Sequence, residues 1–311
     1  MRYCFGADVG GTSVKLGLFQ EDGVLLKKWE IKTRTENEGE AIIPDIAASL
    51  EKVVKEKGLK HEDFIGIGAG IPAPVTEEGI VNGSANLGWS YKNAKKEMEE
   101  LTGLHAKLGN DANVAALGEM WKGAGAGFRN MIMVTLGTGV GGGIIVDGKV
   151  VAGTHGAGGE IGHLCVNYRE MATCGCGNRG CLEQYASATG IVRMAKKKIR
   201  AKKLPTELTS QKLSAKKVID SAKEGDVLAC EVLKDFGKYL GQALANLAVI
   251  TDPGAIVIGG GVSRAGEMLL DYIKAPYESR AFFANRDVKF LLASLGNDAG
   301  IYGAAKMILD E

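Results

Sequence analysis

Residues Cys4–Gly23 read CFGADVGGTSVKLGLFQEDG, and residues Ile132–Gly148 read IMVTLGTGVGGGIIVDG. Each is a β-prone apolar run, a glycine-rich turn carrying a hydroxyl residue, a second apolar run and an Asp-Gly turn. Each is therefore expected to fold as a β-hairpin. The recurrence is an internal duplication, weak in identity and plain in architecture. Between the two, Ala41–Lys57 places Ile43, Ile46, Ala47, Leu50, Val53 and Val54 at helical spacing, and Phe64–Ala69 reads as a buried strand. Strand alternates with helix, so the class is α/β. Past the second hairpin an irregular Gly/Cys stretch runs to Cys181. Residues 227–250 then present Leu228, Val232, Leu233, Phe236, Leu240, Leu244 and Leu247 as a core-facing helix. The strand Ala255–Ile258 and the turn Gly259-Gly260-Gly261 follow, and a last helix is expected over Ile301–Leu309.

A chain of 311 residues has room for two domains, and 24% charged with 45% apolar residues excludes a disordered polymer. Lys+Arg number 38 against Asp+Glu 37, so no overall basic footprint for nucleic acid and no large acidic tail is expected. The expected partner is a small molecule. The 45 glycines come with only 6 prolines, which excludes collagen and linker compositions and leaves many tight turns as the explanation. The amino terminus meets Asp8 and the Gly10-Gly11 pair too early for the apolar core of a signal peptide. The charge-free run from residue 130 to 146 is broken by Gly137, Gly139 and Gly141–Gly143, so no membrane span is expected. A cytoplasmic address follows, in which the 6 cysteines act as thiols or metal ligands rather than disulfides. The basic run Lys196–Lys203 lacks interleaved aromatics and reads as a solvated helix end.

Asp8-Val9-Gly10-Gly11-Thr12, taken alone, is a hairpin turn. Its echo at Gly137-Thr138-Gly139 lets two hydroxyl-bearing glycine turns clamp one polyphosphate, with the Asp8 carboxylate on a hydrated Mg²⁺. No Walker A pattern is present. Asp111 lies between a strand at His105–Leu108 and a helix at Ala112–Met120. It is either the N-cap of that helix or a general base beyond the carboxyl end of a strand. His163, Cys174, Cys176 and Cys181 supply four N/S ligands for a closed, structural Zn²⁺ site. Cys165 reads as a strand interior, with a substitute ligand as the alternative. Asn86, Glu160, His163 and Glu183 suit the vicinal hydroxyls of a sugar, each being otherwise an ordinary surface group. Since His163 and Cys181 flank the stretch presenting Glu183, the metal is expected to shape the sugar side without touching the phosphates.

The sequence resembles the ROK sugar kinases, and among them the bacterial ATP-dependent glucokinases. The resemblance covers nearly the whole chain. It runs through the Asp8–Thr12 motif, Asn86-Leu87-Gly88-Trp89, Asn110-Asp111-Ala112-Asn113, Leu136–Gly143, Gly159–His163, the Cys-x-Cys-Gly-x-x-Gly-Cys-x-Glu run ending at Glu183, and Gly259–Val262. It implies an actin-like, ribonuclease-H-like ATPase fold: two α/β domains around a cleft. The domains implied are residues 1–114 with the helix 299–311 returning to them, and residues 115–298 with the zinc loop. It further implies transfer of phosphate from ATP to the 6-hydroxyl of glucose, with Mg²⁺ and a structural Zn²⁺. Asp111 is then the catalytic base, and Asn86, Asn110, Asp111, Glu160, His163 and Glu183 bind the sugar. Asp8, Gly10, Gly11, Thr12, Thr138, Gly139, Gly260 and Gly261 serve ATP and Mg²⁺, and His163 serves both zinc and sugar. One departure is Val166–Thr173, VNYREMAT, where relatives often carry a Pro/Gly-rich loop. A homodimer or larger homo-oligomer is implied as well. Other expectations are a kinase for N-acetylmannosamine or fructose, which would share every motif, and a sugar-responsive regulator. Repressors of the family carry a helix-turn-helix ahead of the first glycine motif, for which Asp8 leaves no room.

Overall fold

The computed structural model describes residues 2–310; Met1 and Glu311, the outer ends of the expected domain ranges, lie outside them. In chain order the elements are β1 (Tyr3–Val9), β2 (Ser13–Gln20), β3 (Leu25–Lys32), α1 (Ile42–Lys57), β4 (Phe64–Ile71), the short β5 (Ile80–Val81) and β6 (Lys92–Asn93), α2 (Ala94–Thr102), β7 (Ala106–Asn110) and α3 (Asp111–Lys122). There follow β8 (Met131–Leu136), β9 (Val140–Val146), β10 (Lys149–Val150), α4 (Glu183–Ala186), α5 (Ala188–Ala201), α6 (Ala215–Lys223), α7 (Val227–Thr251), β11 (Ala255–Gly259), α8 (Glu267–Glu278), β12 (Lys289–Leu292) and α9 (Ala299–Leu309). None of the described helices is long and apolar enough to cross a membrane.

The chain folds as two compact units. The first comprises the residues up to Gly127, Gly143–Gly159 and the chain from Ser294 on. Its sheet has the order β3-β2-β1-β4-β7. β1 pairs antiparallel with β2 and parallel with β4, and β4 parallel with β7. Because helices cover both faces, β1 and β4 are almost continuously buried rather than alternating. One face packs Phe5, Leu16, Leu18 and Ile67 under Ile43, Ile46 and Leu50 of α1. On the other, Cys4 and Phe19 meet Ile301, Ala305 and Ile308 of α9. The edge strand β3 instead alternates half-buried and exposed residues.

The second unit comprises Phe128–Gly142 and Glu160–Ala293. Its strands lie in the order β9-β8-β11-β12, with β11 parallel to both neighbours. The 25-residue α7 buries the expected Leu228, Val232, Leu233, Phe236, Leu240 and Leu244. β9 leaves this unit after Gly142, pairs with β10 in the first, and turns through Asp147 and Gly148, both at positive φ. The expected division at residue 114 differs from this grouping, because α3 is one unbroken helix packed along α9 and a helix does not divide between cores.

Candidate functional site

In the first unit, the β1–β2 turn is closed by the Gly10 N–H donating to the Ser13 carbonyl at 3.0 Å. Thr33 occupies its carbonyls: the Thr33 hydroxyl donates to Gly10 O at 2.6 Å and its N–H to Thr12 O at 3.0 Å. Gly11 and Thr12 are left exposed at the tip. Asp8, at the end of β1, is half-buried, and Lys15 Nζ stands 3.7 Å from its carboxylate. Burial raises the Asp8 pKa, while the Lys15 charge and hydrogen bond pull it back. Asn86 is exposed on a tight turn whose flanks, Leu87 and Trp89, are buried. The Trp89 indole donates to Gly39 O at 3.1 Å, and the Ser84 N–H donates to Trp89 O at 2.8 Å. This turn lies against the glycine pair: a Cβ on Gly11 would stand 2.9 Å from Asn86 O.

The cap of α3 is Asn110, whose Oδ1 accepts the Ala112 and Asn113 N–H groups at 3.0 and 3.2 Å. The Asn110 backbone is extended, at φ −61° and ψ 139°. Its amide donates to Ala73 O at 3.3 Å. The N-cap reading of Asp111 is thereby corrected: Asp111 is the first residue of the helix, its carboxylate accepting the Ala112 N–H at 2.8 Å. A carboxylate in the first turn is stabilised by the helix dipole and the unpaired amides there. Asn113, also buried, donates to Gly158 O at 2.9 Å.

In the second unit, the turn after β8 is closed by the Gly137 N–H donating to Gly139 O at 3.0 Å. Gly137 and Thr138 line a cavity of about 590 Å³ together with Ala188, residues of α6 (Ala215, Lys216, Ile219, Asp220, Lys223) and the Gly261–Ala265 turn. Gly260, at φ 82°, packs on the Leu136 backbone too closely for a side chain. The α6 residues and Arg264 carry no motif, and sequence reasoning missed them. Only their shared helix face marks them, and that reads equally as surface.

His163, Cys174, Cys176 and Cys181 offer ligand atoms that all lie within 4.8 Å of one another. The Cys176 and Cys181 sulfurs are 3.6 Å apart, and Cys174 Sγ is 4.0 Å from His163 Nδ1. Sulfurs on a tetrahedral zinc at about 2.3 Å are spaced about 3.8 Å apart, so the donor set fits that ion. Burial and the neighbouring thiols push Cys181 up to about 12, while the Asn178 backbone hydrogen bond lowers Cys176. A bound cation favours the thiolates that this crowding opposes. Cys165 lies outside the four; it is exposed and forms only an isolated bridge to Cys181, not a strand interior. Glu160 precedes the short helical turn bearing His163 and accepts the His163 N–H on its carbonyl at 3.1 Å. Glu183, half-buried at the start of α4, accepts the Val140 N–H on Oε2 at 3.1 Å. Its Oε1 lies 3.9 Å from Cys174 Sγ.

The Val166–Thr173 loop is fastened by Glu170. The Tyr185 hydroxyl donates to it at 2.5 Å and Arg193 at 2.8 Å, and Asn167 donates to the Tyr185 oxygen at 2.8 Å. Burial pushes Glu170 up, but the Tyr185, Ala172 and Arg193 donors outweigh it and hold the carboxyl at about 2. Tyr185 is pushed up to about 12 by burial and by Glu170.

Residues 4–311 match the ROK family model. The chain is 43% identical to a glucokinase of Halalkalibacterium halodurans over 316 residues, spanning 100% of this chain and 96% of the relative. Among solved structures, a ROK family glucokinase of Streptomyces griseus, in complex with glucose and AMPPNP, superposes with a TM-score of 0.77 at 33% identity, covering 98% of both chains. A ROK hexokinase of Thermus thermophilus superposes with a TM-score of 0.84 at 31% identity, covering 98% of this chain and 97% of the other.

Proposed function

We propose, since this chain belongs to the ROK family and has its actin-like ATPase fold, that it is an ATP-dependent glucokinase forming glucose 6-phosphate. The likeness to glucokinases runs the full length of the chain, so no segment of the catalytic machinery stands outside the comparison. The observation that carries the mechanism is at α3. With Asn110 taking the cap, the Asp111 carboxylate is held at a strand-to-helix junction without being needed to terminate the helix. Asp111 takes the proton of the sugar 6-hydroxyl as that oxygen forms its bond to the γ-phosphorus; the bond from phosphorus to the β–γ bridging oxygen breaks, and ADP leaves.

In the same unit Asn86 and Asn110 bind sugar hydroxyls, Gly10, Gly11 and Thr12 donate to phosphate oxygens, and Asp8 would hold Mg²⁺. Mg²⁺ supplies charge neutralisation on the phosphates. In the second unit Thr138 and Gly139 donate to phosphate, and Gly260 and Gly261 serve the adenosine, Gly261 from the wall of the cavity bounded by α6. There Glu160, His163 and Glu183 take the hydroxyls at the anomeric end of the sugar. With Nδ1 facing Cys174, His163 would hold a structural Zn²⁺ together with the three cysteines and would have its other ring nitrogen for the sugar. The free thiols suit a cytoplasmic enzyme, and a homodimer is the assembly in keeping with the resemblance.

A coupled assay of ADP release over a panel of hexoses tests this reading. Glucose is expected to give the highest kcat/KM, because a site built to hydrogen-bond a hydroxyl discriminates strongly against a substrate lacking it. The second reading, a kinase of another hexose, is favoured by the likeness to a hexokinase. It replaces the first if kcat/KM for N-acetylmannosamine or fructose exceeds that for glucose by about tenfold or more.

A further inference from the structure

One short stretch, 183–190, is bonded at one end to the metal ligands and at the other to the turn after β8. Gln184 Oε1 accepts the Gly180 and Cys181 N–H groups at 2.8 and 3.1 Å, and its amide donates to Ala172 O at 2.9 Å. Cys181 itself is 1% exposed. Towards the turn, the Ala188 N–H donates to Gly137 O at 2.8 Å and the Thr189 hydroxyl to Thr138 O at 2.8 Å. The Val140 N–H donates to Glu183 Oε2, which sits so close to Gly139 that a Cβ there would stand 2.2 Å from it. The peptide planes of Gly137, Thr138 and Val140 are thus oriented by groups on this stretch, and Glu183 touches both the turn and the Cys174 thiol. This departs from the expectation that the metal bears on the sugar side only.

We propose that Glu183 is a positioning residue for the Gly137–Val140 turn, and that the metal held by His163, Cys174, Cys176 and Cys181 sets nucleotide affinity through it. The inference rests on reading that turn as phosphate-binding. Glu170 and Gln184 fasten the two ends of the loop from residue 167 to 180, whereas its exposed middle, residues 175–179, lies between the thiols that the metal would cross-link. Without that cross-link the Cys174 side of Glu183 loses its wall, and the carboxylate no longer holds the Val140 amide in one orientation. Preorganised amides lose phosphate affinity when they must be ordered on binding.

Calorimetric binding of AMPPNP and of adenosine, with zinc content and circular dichroism, tests this on four proteins: the zinc-loaded chain, the same chain after chelation and restoration of Mg²⁺, Glu183→Ala and Glu183→Gln. Chelation and Glu183→Ala should each raise the AMPPNP Kd about tenfold or more, the scale of one hydrogen bond to a charged group. Both should leave adenosine binding unchanged. Glu183→Gln keeps a carbonyl acceptor for Val140 and should restore AMPPNP affinity while still raising the glucose KM. AMPPNP affinity unmoved in folded, zinc-depleted protein, or in Glu183→Ala, overturns the coupling. Thr138→Ala separates the premise: if it leaves AMPPNP affinity intact the phosphate reading of the turn fails, and if it weakens AMPPNP while Glu183→Ala does not, the coupling alone fails.

Discussion

Gly300, in the first turn of α9, faces the Asp8 side chain so closely that a Cβ on it would stand 2.5 Å from Asp8 Cγ and 2.9 Å from Oδ1. With Lys15 Nζ 3.7 Å from the same carboxylate, Asp8 is confined between the last helix and the neighbouring strand.

Gly300→Ala should therefore displace either Asp8 or α9. The expected result is a several-fold rise in the Mg²⁺ concentration for half-maximal rate, with a stability loss of about 1–3 kcal/mol from overpacking. A Mg²⁺ titration of initial rates together with urea unfolding checks both, and an unchanged Mg²⁺ requirement would return Asp8 to a structural role.

Asp111→Asn should lower kcat by about 10²- to 10⁴-fold, the range for a positioned general base. Because Asn110 carries the cap, the variant should unfold near the wild-type midpoint and retain AMPPNP affinity. Near-normal turnover in the folded variant would exclude Asp111 as the base.

Glu119 of α3 is 0% exposed and accepts the N–H groups of Ala124, Ser294 and Leu295 at 2.8, 3.1 and 2.8 Å. Glu119→Ala removes the charged acceptor of three part-buried N–H groups, each such bond contributing about 1.5–3 kcal/mol, so a loss of roughly 3 kcal/mol or more is expected in urea unfolding. Glu119→Gln, which retains one acceptor oxygen, should lose less. Equal midpoints for Glu119→Ala and wild type would refute the assignment.

Glu170 has its pKa depressed from 4.5 to about 2, so its contribution is present in full above pH 4.5 and is lost as the pH falls towards about 2. The Tm difference between wild type and Glu170→Gln should be constant from pH 7 to about 5 and shrink steadily below that. A difference that grows on acidification has the wrong sign for this ion pair.

Much of the framework was legible locally. The hairpin ending at Gln20, the apolar stripe of α1 and the metal spacing from Cys174 to Cys181 depend on residues within a few positions of one another, where periodicity and turn chemistry act. The solvated end of α5 was legible for the same reason, with Lys202 in the left-handed conformation at its cap. Element ends were less so: α3 starts at Asp111 and α9 at Ala299, each a little earlier than periodicity alone indicates.

What the sequence by itself determined is the set of chemical groups and the local elements that carry them: two glycine turns, an Asn-Asp pair at a helix start, and a histidine with three cysteines at a spacing that could hold a metal. Tertiary structure alone decided how those groups are partnered. Asn110 and Asp111 are both competent caps, and the extended backbone at Asn110, set by its place at the end of β7, gave the cap to Asn110. Glu119 reads as one more surface carboxylate of a helix until Ser294 and Leu295, far along the chain, bring their amides to it. Glu170 likewise depends on Arg193, and Glu183 on Val140, 43 residues away. A hydrogen bond is specified by distance and angle in space, whereas sequence patterns report only the neighbours that a single helix or hairpin brings together.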